Sequence, residues 1–244
     1  MSPSHDPPAP RCDWAYFFDV DGTLVDFADT PAGVRVSEAL RDLLQELHQC
    51  AGGAVALISG RPIVEIDALF PSVRLPVAGQ HGAERRGATG QATRHTPAQD
   101  LTTARHRLAE AIHDKPGLLL EDKGLSLALH YRRIPNLAGF VHQTMAALLA
   151  DLEGEYCLQQ GKSVLELKPA GKDKGRALLE FMGEPPFAGR TPVFVGDDAS
   201  DEFGFATVNE LGGHSIKVGA GDTVAHWRLE SVNAVQRWLR SISH

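Results

Sequence analysis

Two short acidic clusters, each closing an apolar run, carry the residue types and spacing that could do chemistry in this 244-residue chain. The first is Asp19-Val-Asp-Gly-Thr-Leu24, directly after Trp14-Ala-Tyr-Phe-Phe18. In an extended strand residues i and i+2 point the same way, so Asp19 and Asp21 can face one bound group. One carboxylate could attack phosphorus as a nucleophile. The other could protonate the leaving alkoxide, then deprotonate the water that hydrolyses the acyl-phosphate. Gly22 lets the chain turn sharply away. An ordinary Asp-Gly turn after a strand would use the same residues. The second cluster is Gly196-Asp-Asp-Ala-Ser-Asp-Glu202, after Pro192-Val-Phe-Val195. Like charges so close raise one another's pKa values unless a cation is present. Magnesium meets this need, because it takes oxygen ligands and bridges carboxylate to phosphate. Asp19 and Asp197 are the expected ligands, with the backbone carbonyl of Asp21 as a third. Asp198 and Asp201 are expected to orient those ligands and bound waters. Helix N-capping by Asp198 or Ser200 is compatible with this but leaves so many acids unexplained.

Ser59 and Lys174 complete the set. A hydroxyl and an ammonium would hold the phosphoryl oxygens and offset charge, and such positioning supplies most of the catalysis in phosphoryl transfer. Lys174 opens a helix, where the N-terminal dipole also favours an anion. Each residue taken singly reads as a turn serine and a solvated lysine. The ordered set Asp-x-Asp-Gly-Thr, Ser, Lys, Gly-Asp-Asp-x-x-Asp is far harder to reach by chance.

These residues need elements to position them. Trp14–Phe18 and Ala54–Ile58 are short apolar runs that read as buried strands. Between them Leu40, Leu43, Leu44 and Leu47 recur at helical spacing, with Ser37 as N-cap. Ser59-Gly-Arg-Pro62 follows the second strand, and Pro62 suits the first turn of the next helix. The pattern returns with a helix over Gly175–Met182, a strand over Pro192–Val195 and a helix from Ser200. A strand over Ser215–Val218 and a last helix over Val232–Ile242 complete it. Alternating strands and helices predict an α/β fold with a Rossmann-like parallel-sheet core. Ligands then bind at the strand C-termini, where Asp19, Asp21, Ser59, Asp197 and Asp198 all lie.

The middle of the chain has another rhythm. Helical stretches at Pro97–His113 and Asn136–Leu152 alternate with short runs at Leu118–Glu121, Leu125–Arg132, Tyr156–Gln159 and Ser163–Lys168. Helix, hairpin, helix, hairpin predicts an inserted α+β cap domain over residues 88–168, with linkers at Gly87 to Gly90 and Pro169 to Gly171. The core then spans 13–87 and 169–244, and residues 1–12 form a disordered tail rich in Pro, Ser and Ala.

Composition excludes several classes. A net charge of −7 argues against a nucleic-acid binder, which needs a basic face. Lys162, Lys168, Lys172, Lys174 and Arg176 form a local basic run, which by charge alone reads as a solvated face. Cys12, Cys50 and Cys157 are odd in number, far apart and without metal spacing, so reduced thiols in a cytoplasm are expected. The first residues lack the apolar region of a secretion signal, and no apolar run approaches a bilayer span. No nucleic acid and no membrane are expected as partners; the oligomeric state is not given by the sequence, and a monomer is favoured.

The four motifs resemble those of the haloacid dehalogenase superfamily of phosphotransferases. Within it the sequence is similar to the bacterial trehalose-6-phosphate phosphatases. The likeness rests on Ala56-Leu-Ile-Ser-Gly-Arg61, Gly79-Gln-His-Gly-Ala-Glu84, Leu127-Ala-Leu-His-Tyr-Arg132, Val164-Leu-Glu-Leu-Lys-Pro169 and Gly196–Glu202. It implies a Rossmann-like core with a mobile cap and Mg²⁺ as cofactor. It also implies a small-molecule sugar phosphate as partner, and hydrolysis of trehalose 6-phosphate through an aspartyl-phosphate, within trehalose biosynthesis. The nucleophile then falls on Asp19, the acid/base on Asp21, a metal ligand on Asp197, and the phosphate-holding pair on Ser59 and Lys174. Lys172, two residues away, competes for the lysine role by alignment.

Core motifs read only phosphate, so choice of sugar falls to the cap. Alternation puts His130 and Arg132 opposite Leu127, Leu129 and Tyr131, and puts Val164, Glu166 and Lys168 on one face. Glu166 and Lys168 could bind hydroxyls through charge-assisted hydrogen bonds, and the same face could simply meet water. The resemblance assigns Arg132, Glu166, Lys168 and His130 to the substrate, together with Arg61, His81 and Gly82. By pattern alone His81, in a Gly-rich loop, is a structural histidine. Three rival readings are another sugar-phosphate phosphatase or phosphohexomutase, a phospho-accepting signalling domain, and a silent regulatory copy that binds a synthase. Asp21 and the large insertion argue against signalling, and the complete set of chemical residues argues against silence.

Overall fold

The computed structural model describes residues 7–28, 33–95, 99–152 and 154–242. In chain order its elements are β1 (Trp14–Phe18), α1 (Glu38–Cys50), β2 (Val55–Ile58), α2 (Ile63–Leu69), β3 (Val77–Gly79), β4 (Glu84–Arg86) and β5 (Ala92–Arg94). Then come α3 (Thr102–Ile112), β6 (Leu119–Asp122), β7 (Leu127–His130), α4 (Ala138–Leu149), β8 (Tyr156–Gly161) and β9 (Val164–Pro169). The chain ends through α5 (Lys174–Met182), β10 (Thr191–Gly196), α6 (Glu202–Glu210), β11 (His214–Val218), β12 (Trp227–Leu229) and α7 (Val232–Arg240). It divides into two compact units, Met1–Thr93 with Asp173–His244, and Arg94–Lys172.

The first unit is built on an eight-stranded sheet of order β12-β11-β10-β1-β2-β3-β4-β5. Neighbours from β12 to β3 run parallel, and β4 is antiparallel to β3. All five residues of β1 are buried, which suits a central strand covered on both faces. Phe17 packs 5.3 Å from Phe187 and 6.0 Å from Phe181, ring centre to ring centre, in the core beneath the sheet. α1 buries Leu40, Leu43, Leu44 and Leu47, and the Ser37 hydroxyl accepts from the Leu40 N–H at 3.2 Å, so stripe and cap agree. From β1 the chain steps to β2 and β3 on one side. It later returns at β10 and steps to β11 and β12 on the other. The order therefore reverses between β1 and β10, opening a crevice at their C-terminal ends.

The second unit is α+β. Its antiparallel sheet has the order β6-β7-β9-β8. Leu127, Leu129, Leu165 and Leu167 pack with Leu108 of α3 and Val141, Met145 and Leu148 of α4. On the other face Glu121, Ala128, Glu166 and Gln159 stand in one row across the four strands. The fold as a whole is α/β, with a Rossmann-like parallel sheet and an inserted α+β unit.

Several expectations need correction. Residues 1–6 of the expected tail lie outside the described residues, but 7–12 are not a tail. The Pro8 carbonyl accepts from the Trp238 indole N–H at 2.9 Å, and the Tyr16 hydroxyl both accepts from and donates to the Arg11 backbone at 2.7 Å. Cys12 and Cys50 form a disulfide, with 5.1 Å between their Cα atoms, and Cys157 alone is free. Proximity at the start of β1 and the end of α1 outweighs the odd count, so the thiol argument for a reducing compartment falls. The helix expected from Pro97 begins at Thr102, and residues 97–98 lie outside the described residues. β3, β4, β5 and β12 have three residues each, too short for a periodic signal. Among the described residues no helix is long and apolar enough to cross a membrane.

Candidate active site

The site forms where the two central strands end. Register pairs Phe18 with Val195, and the Asp19 N–H donates to the Val195 carbonyl at 3.0 Å. Asp19 and Asp197 thus leave adjacent strands one and two residues later. Gly22, at φ +82°, has Asp197 and the ring of Phe27 where a side chain would stand, so any larger residue would collide with the site. The segment curls back on itself, with the Leu24 N–H donating to the Val20 carbonyl at 3.0 Å.

Lys174 enters from the first position of α5, whose N-cap Asp173 accepts from the Arg176 N–H at 2.8 Å. Its ammonium lies 2.9 Å from Asp19 Oδ1 and 2.7 Å from Asp201 Oδ1. Asp201 is fully buried, and its Oδ2 accepts from the backbone N–H groups of Asp197 and Asp198 at 2.8 and 2.9 Å. Asp198 accepts from both the backbone N–H and the hydroxyl of Ser200 at 2.8 and 2.6 Å. Asp201 thus folds the loop after β10 around its own carboxylate and faces it towards Lys174.

So many buried acids perturb one another. Burial drives the Asp19 carboxyl well above the usual carboxylate range; Lys174 opposes this, while Asp201, Asp197 and Asp198 add to it. Asp197 is pushed up to about 7 by burial and then by Asp201 and Asp198. Asp201 is pushed up to about 6 by burial, against the pull of Lys174. Asp198 goes the other way. Burial would raise it, but Lys174, the Ser200 hydrogen bonds and the charge of His81 together hold it low. Lys174 is raised well above its ordinary value, because the acids outweigh the penalty of burial.

This donor set fits a divalent cation. Oxygens of Asp19, Asp197 and Asp201 lie within 4.8 Å of one another. Asp197 Oδ1 is buried and has no hydrogen-bond partner among the described residues. A buried carboxylate oxygen left unpaired is costly, and an oxygen-seeking cation removes that cost. Both oxygens of Asp201, by contrast, already accept from protein donors.

The other expected residues are distributed as follows. Ser59 directly follows β2, donates its N–H to the Ala78 carbonyl at 2.9 Å, and accepts at Oγ from the Arg61 N–H at 3.1 Å. Asp21 does not share the cations of Asp19. Its carboxylate takes both arms of the Arg61 guanidinium at 2.6 and 2.8 Å, and Arg61 also reaches Glu65 at 3.2 Å. His81 adopts φ 57°, with its ring where a side chain on Gly60 would stand. Gly82, at φ +94°, lies against Ala177 of α5. In the second unit Glu166 accepts from Ser126 at 2.6 Å and from Lys123 at 3.1 Å, and Lys168 donates to the Lys172 carbonyl. His130 pairs with Glu121 at 2.7 Å, and Arg132 reaches the Lys162 carbonyl at 3.5 Å. Sequence reasoning passed over Lys217, a buried lysine at the end of β11 whose ammonium donates to the Asp197 backbone carbonyl. The signal was present as a lone cation inside the apolar run Ser215-Ile-Lys-Val218, at the sheet edge where ligands bind.

The same fold occurs in a phosphatase of the haloalkanoate (HAD) superfamily from Bacteroides thetaiotaomicron, at TM-score 0.63 and 16% identity over 92% of each chain. The chain thus has the architecture of the HAD phosphatases. The C-terminal domain of trehalose-6-phosphate phosphatase from C. albicans aligns at TM-score 0.84 and 22% identity, covering 98% of this chain and 97% of that one. The trehalose-phosphatase family model matches residues 17–233, and the chain belongs to that family. It is 47% identical over 234 residues to the trehalose-6-phosphate phosphatase of Escherichia coli K12, covering 94% of this chain and 86% of that relative. It is an enzyme, a phosphoric monoester hydrolase.

Proposed function

We propose that this enzyme hydrolyses trehalose 6-phosphate to trehalose and phosphate, with Mg²⁺ and through an aspartyl-phosphate on Asp19. For the chemistry, the supporting observation is the buried carboxylate of Asp19 held beside Lys174 and within 4.8 Å of a carboxylate oxygen of Asp197, whose Oδ1 has no hydrogen-bond partner among the described residues. For the substrate, support comes from the family and from the relative's name.

An Asp19 oxygen attacks phosphorus and the phosphorus–sugar oxygen bond breaks. Asp21 gives its proton to the departing alkoxide, then takes one from the water that attacks the acyl-phosphate, releasing phosphate and restoring Asp19. Lys174 and the Ser59 hydroxyl hold the phosphoryl oxygens. Mg²⁺, held by Asp19, Asp197 and the Asp21 carbonyl, would neutralise phosphate charge and orient the group for in-line attack. Asp201 and Asp198 keep the loop after β10 in shape. Arg61, His81 and Gly82 border the phosphate end, and Glu166, Lys168, Arg132 and His130 read the sugar. Glu166 and Lys168 are buried on the polar face of their sheet, which supports a recognition role over a solvated one. We place the enzyme in the cytoplasm, since a charged sugar phosphate does not readily cross a bilayer, and we favour a monomer.

The test is phosphate release from a panel of sugar phosphates, with Mg²⁺ and with chelator. Preference for trehalose 6-phosphate, lost on chelation, is expected. Mg²⁺-dependent but indiscriminate release would remove the substrate and keep the chemistry. Transfer of phosphate to a second sugar instead of release would show a mutase.

A further inference from the structure

Lys217 belongs to neither acidic motif, yet it touches one of them. It sits on β11, in register with Gly196 of β10, the residue before Asp197. Its side chain is 6% exposed, and the ammonium donates to the Asp197 carbonyl while lying 3.9 Å from Glu202 Oε1. Glu202 in turn accepts from the Val224 N–H at 2.9 Å, through its other oxygen. Burying an ammonium is costly unless its hydrogen bonds and charge are met. Lys217 meets that need with a hydrogen bond to the Asp197 carbonyl in the loop after β10 and with the nearby charge of Glu202 at the start of α6.

The consequence for Asp197 is geometric. Its N–H is fixed by Asp201 and its carbonyl by Lys217, so both peptide planes flanking its Cα are held. Its side chain keeps only its own rotamer freedom, and Oδ1 remains unpaired among the described residues. Loops are ordinarily the mobile parts of a fold, and a ligand placed on one needs such outer support. Gly196 adds to the constraint, because a side chain there would strike Asp201.

We infer that Lys217 is a positioning residue for the divalent-cation site, acting through the Asp197 carbonyl to aim the Asp197 carboxylate. The inference rests on the reading of Asp19 and Asp197 as cation ligands. Charge and position here make opposite predictions. At pH 8 removal of a nearby ammonium would, by charge alone, tighten binding of a cation. Loss of the carbonyl anchor would weaken it, by roughly 10- to 100-fold on the scale of outer-shell substitutions.

The experiment is calorimetric titration of Mg²⁺ alone into the parent protein, Lys217→Met and Lys217→Arg at pH 8, with thermal melts of each metal-free protein to establish folding. Lys217→Met is expected to melt cooperatively and to bind Mg²⁺ ~10- to 100-fold more weakly. Lys217→Arg, which keeps a charged donor, should recover most of the affinity. Equal or tighter Mg²⁺ binding by folded Lys217→Met overturns the positioning role. If Lys217→Met does not fold, Lys217→Ala, which also removes the donor to the Asp197 carbonyl, takes its place, and Mg²⁺ binding by folded Lys217→Ala as tight as the parent's would overturn the role equally. Absence of Mg²⁺ binding to the parent would overturn the cation reading itself, and the inference with it.

Discussion

Removing the Lys174 ammonium, by Lys174→Met, tests the electrostatics of the site most directly. The substitution keeps length and deletes a charge that is 2% exposed, between Asp19 at 2.9 Å and Asp201 at 2.7 Å. At an effective dielectric constant near 20, each contact is a gross attraction of about 6 kcal/mol. Desolvation of the three ions takes back several kcal/mol apiece, so the net worth of the arrangement is far smaller. Breaking it leaves uncompensated buried carboxylates, and such breaks cost about 3–5 kcal/mol. That is a large part of the total stability of an ordinary domain. The loss must depend on pH. Asp201 and Asp197 have folded-state pKa values raised to about 6 and about 7, above their unfolded values. A carboxyl raised in this way contributes stability that is full below its unfolded pKa and is lost as pH rises through the folded one. Without Lys174 the acids titrate higher still, so at pH 5 they are largely neutral and need no ammonium. Lys174 itself is raised and stays charged throughout this range. Urea unfolding in chelator should show a deficit of ~3–5 kcal/mol at pH 8 and less than half of that at pH 5. Phosphate release should fall at every pH. A deficit below ~1 kcal/mol at pH 8, or an equal deficit at both pH values, would refute the reasoning.

Asp19→Asn keeps the shape of the side chain and removes the attacking charge. Turnover should fall by at least ~10³-fold while the protein still melts cooperatively, and substantial activity in a clean preparation would remove Asp19 as nucleophile. Glu166→Ala should cost trehalose 6-phosphate hydrolysis ~10- to 100-fold in kcat/KM, the scale of a hydrogen bond to a charged group. A small generic phosphate ester should lose far less, and equal losses would show that Glu166 does not read the sugar. The Cys12–Cys50 disulfide closes a separation of 38 residues. Chain-entropy reasoning gives it about 4 kcal/mol, so reductant should lower the urea midpoint of the parent and leave Cys12→Ser unmoved. A reductant-insensitive parent would show that the bridge does not form.

The sheet was legible wherever a strand is central. Trp14–Phe18 and Pro192–Val195 are apolar without alternation because both faces are covered, and that is what a run of four or five buried residues reports. The stripe of α1 was legible for the same reason, as one face of the helix is core. Short peripheral strands were not. Val77–Gly79 and Glu84–Arg86 are defined by their partners across the sheet, and three residues hold no period to detect. The disulfide was hidden because its two cysteines approach only after β1 and α1 have packed, a fact of topology and not of spacing.

Within the site, sequence gave the residues of each motif and topology gave their distances. Asp19 and Asp197 are 178 positions apart, yet the pairing of Phe18 with Val195 carries them to one crevice. Lys174 follows because α5 begins there, and the cap at Asp173 sets where that first turn starts. Asp21 shows where the argument from alternation stops. The strand ends at Phe18, so residues 19 and 21 no longer obey its period, and the curl through Gly22 turns Asp21 towards Arg61 instead of Lys174. The Arg61 fork engages both oxygens of the Asp21 carboxylate. On the proposed reading Asp21 is the acid/base, and a phosphate arriving beside Arg61 would compete with it for the same fork. The two carboxylates that look alike in Asp19-Val-Asp21 are thereby made different by their cations. Asp19, 7% exposed, faces an ammonium that is 2% exposed, and Asp21, 24% exposed, faces a guanidinium that is 9% exposed. A nucleophile and an acid/base need that difference.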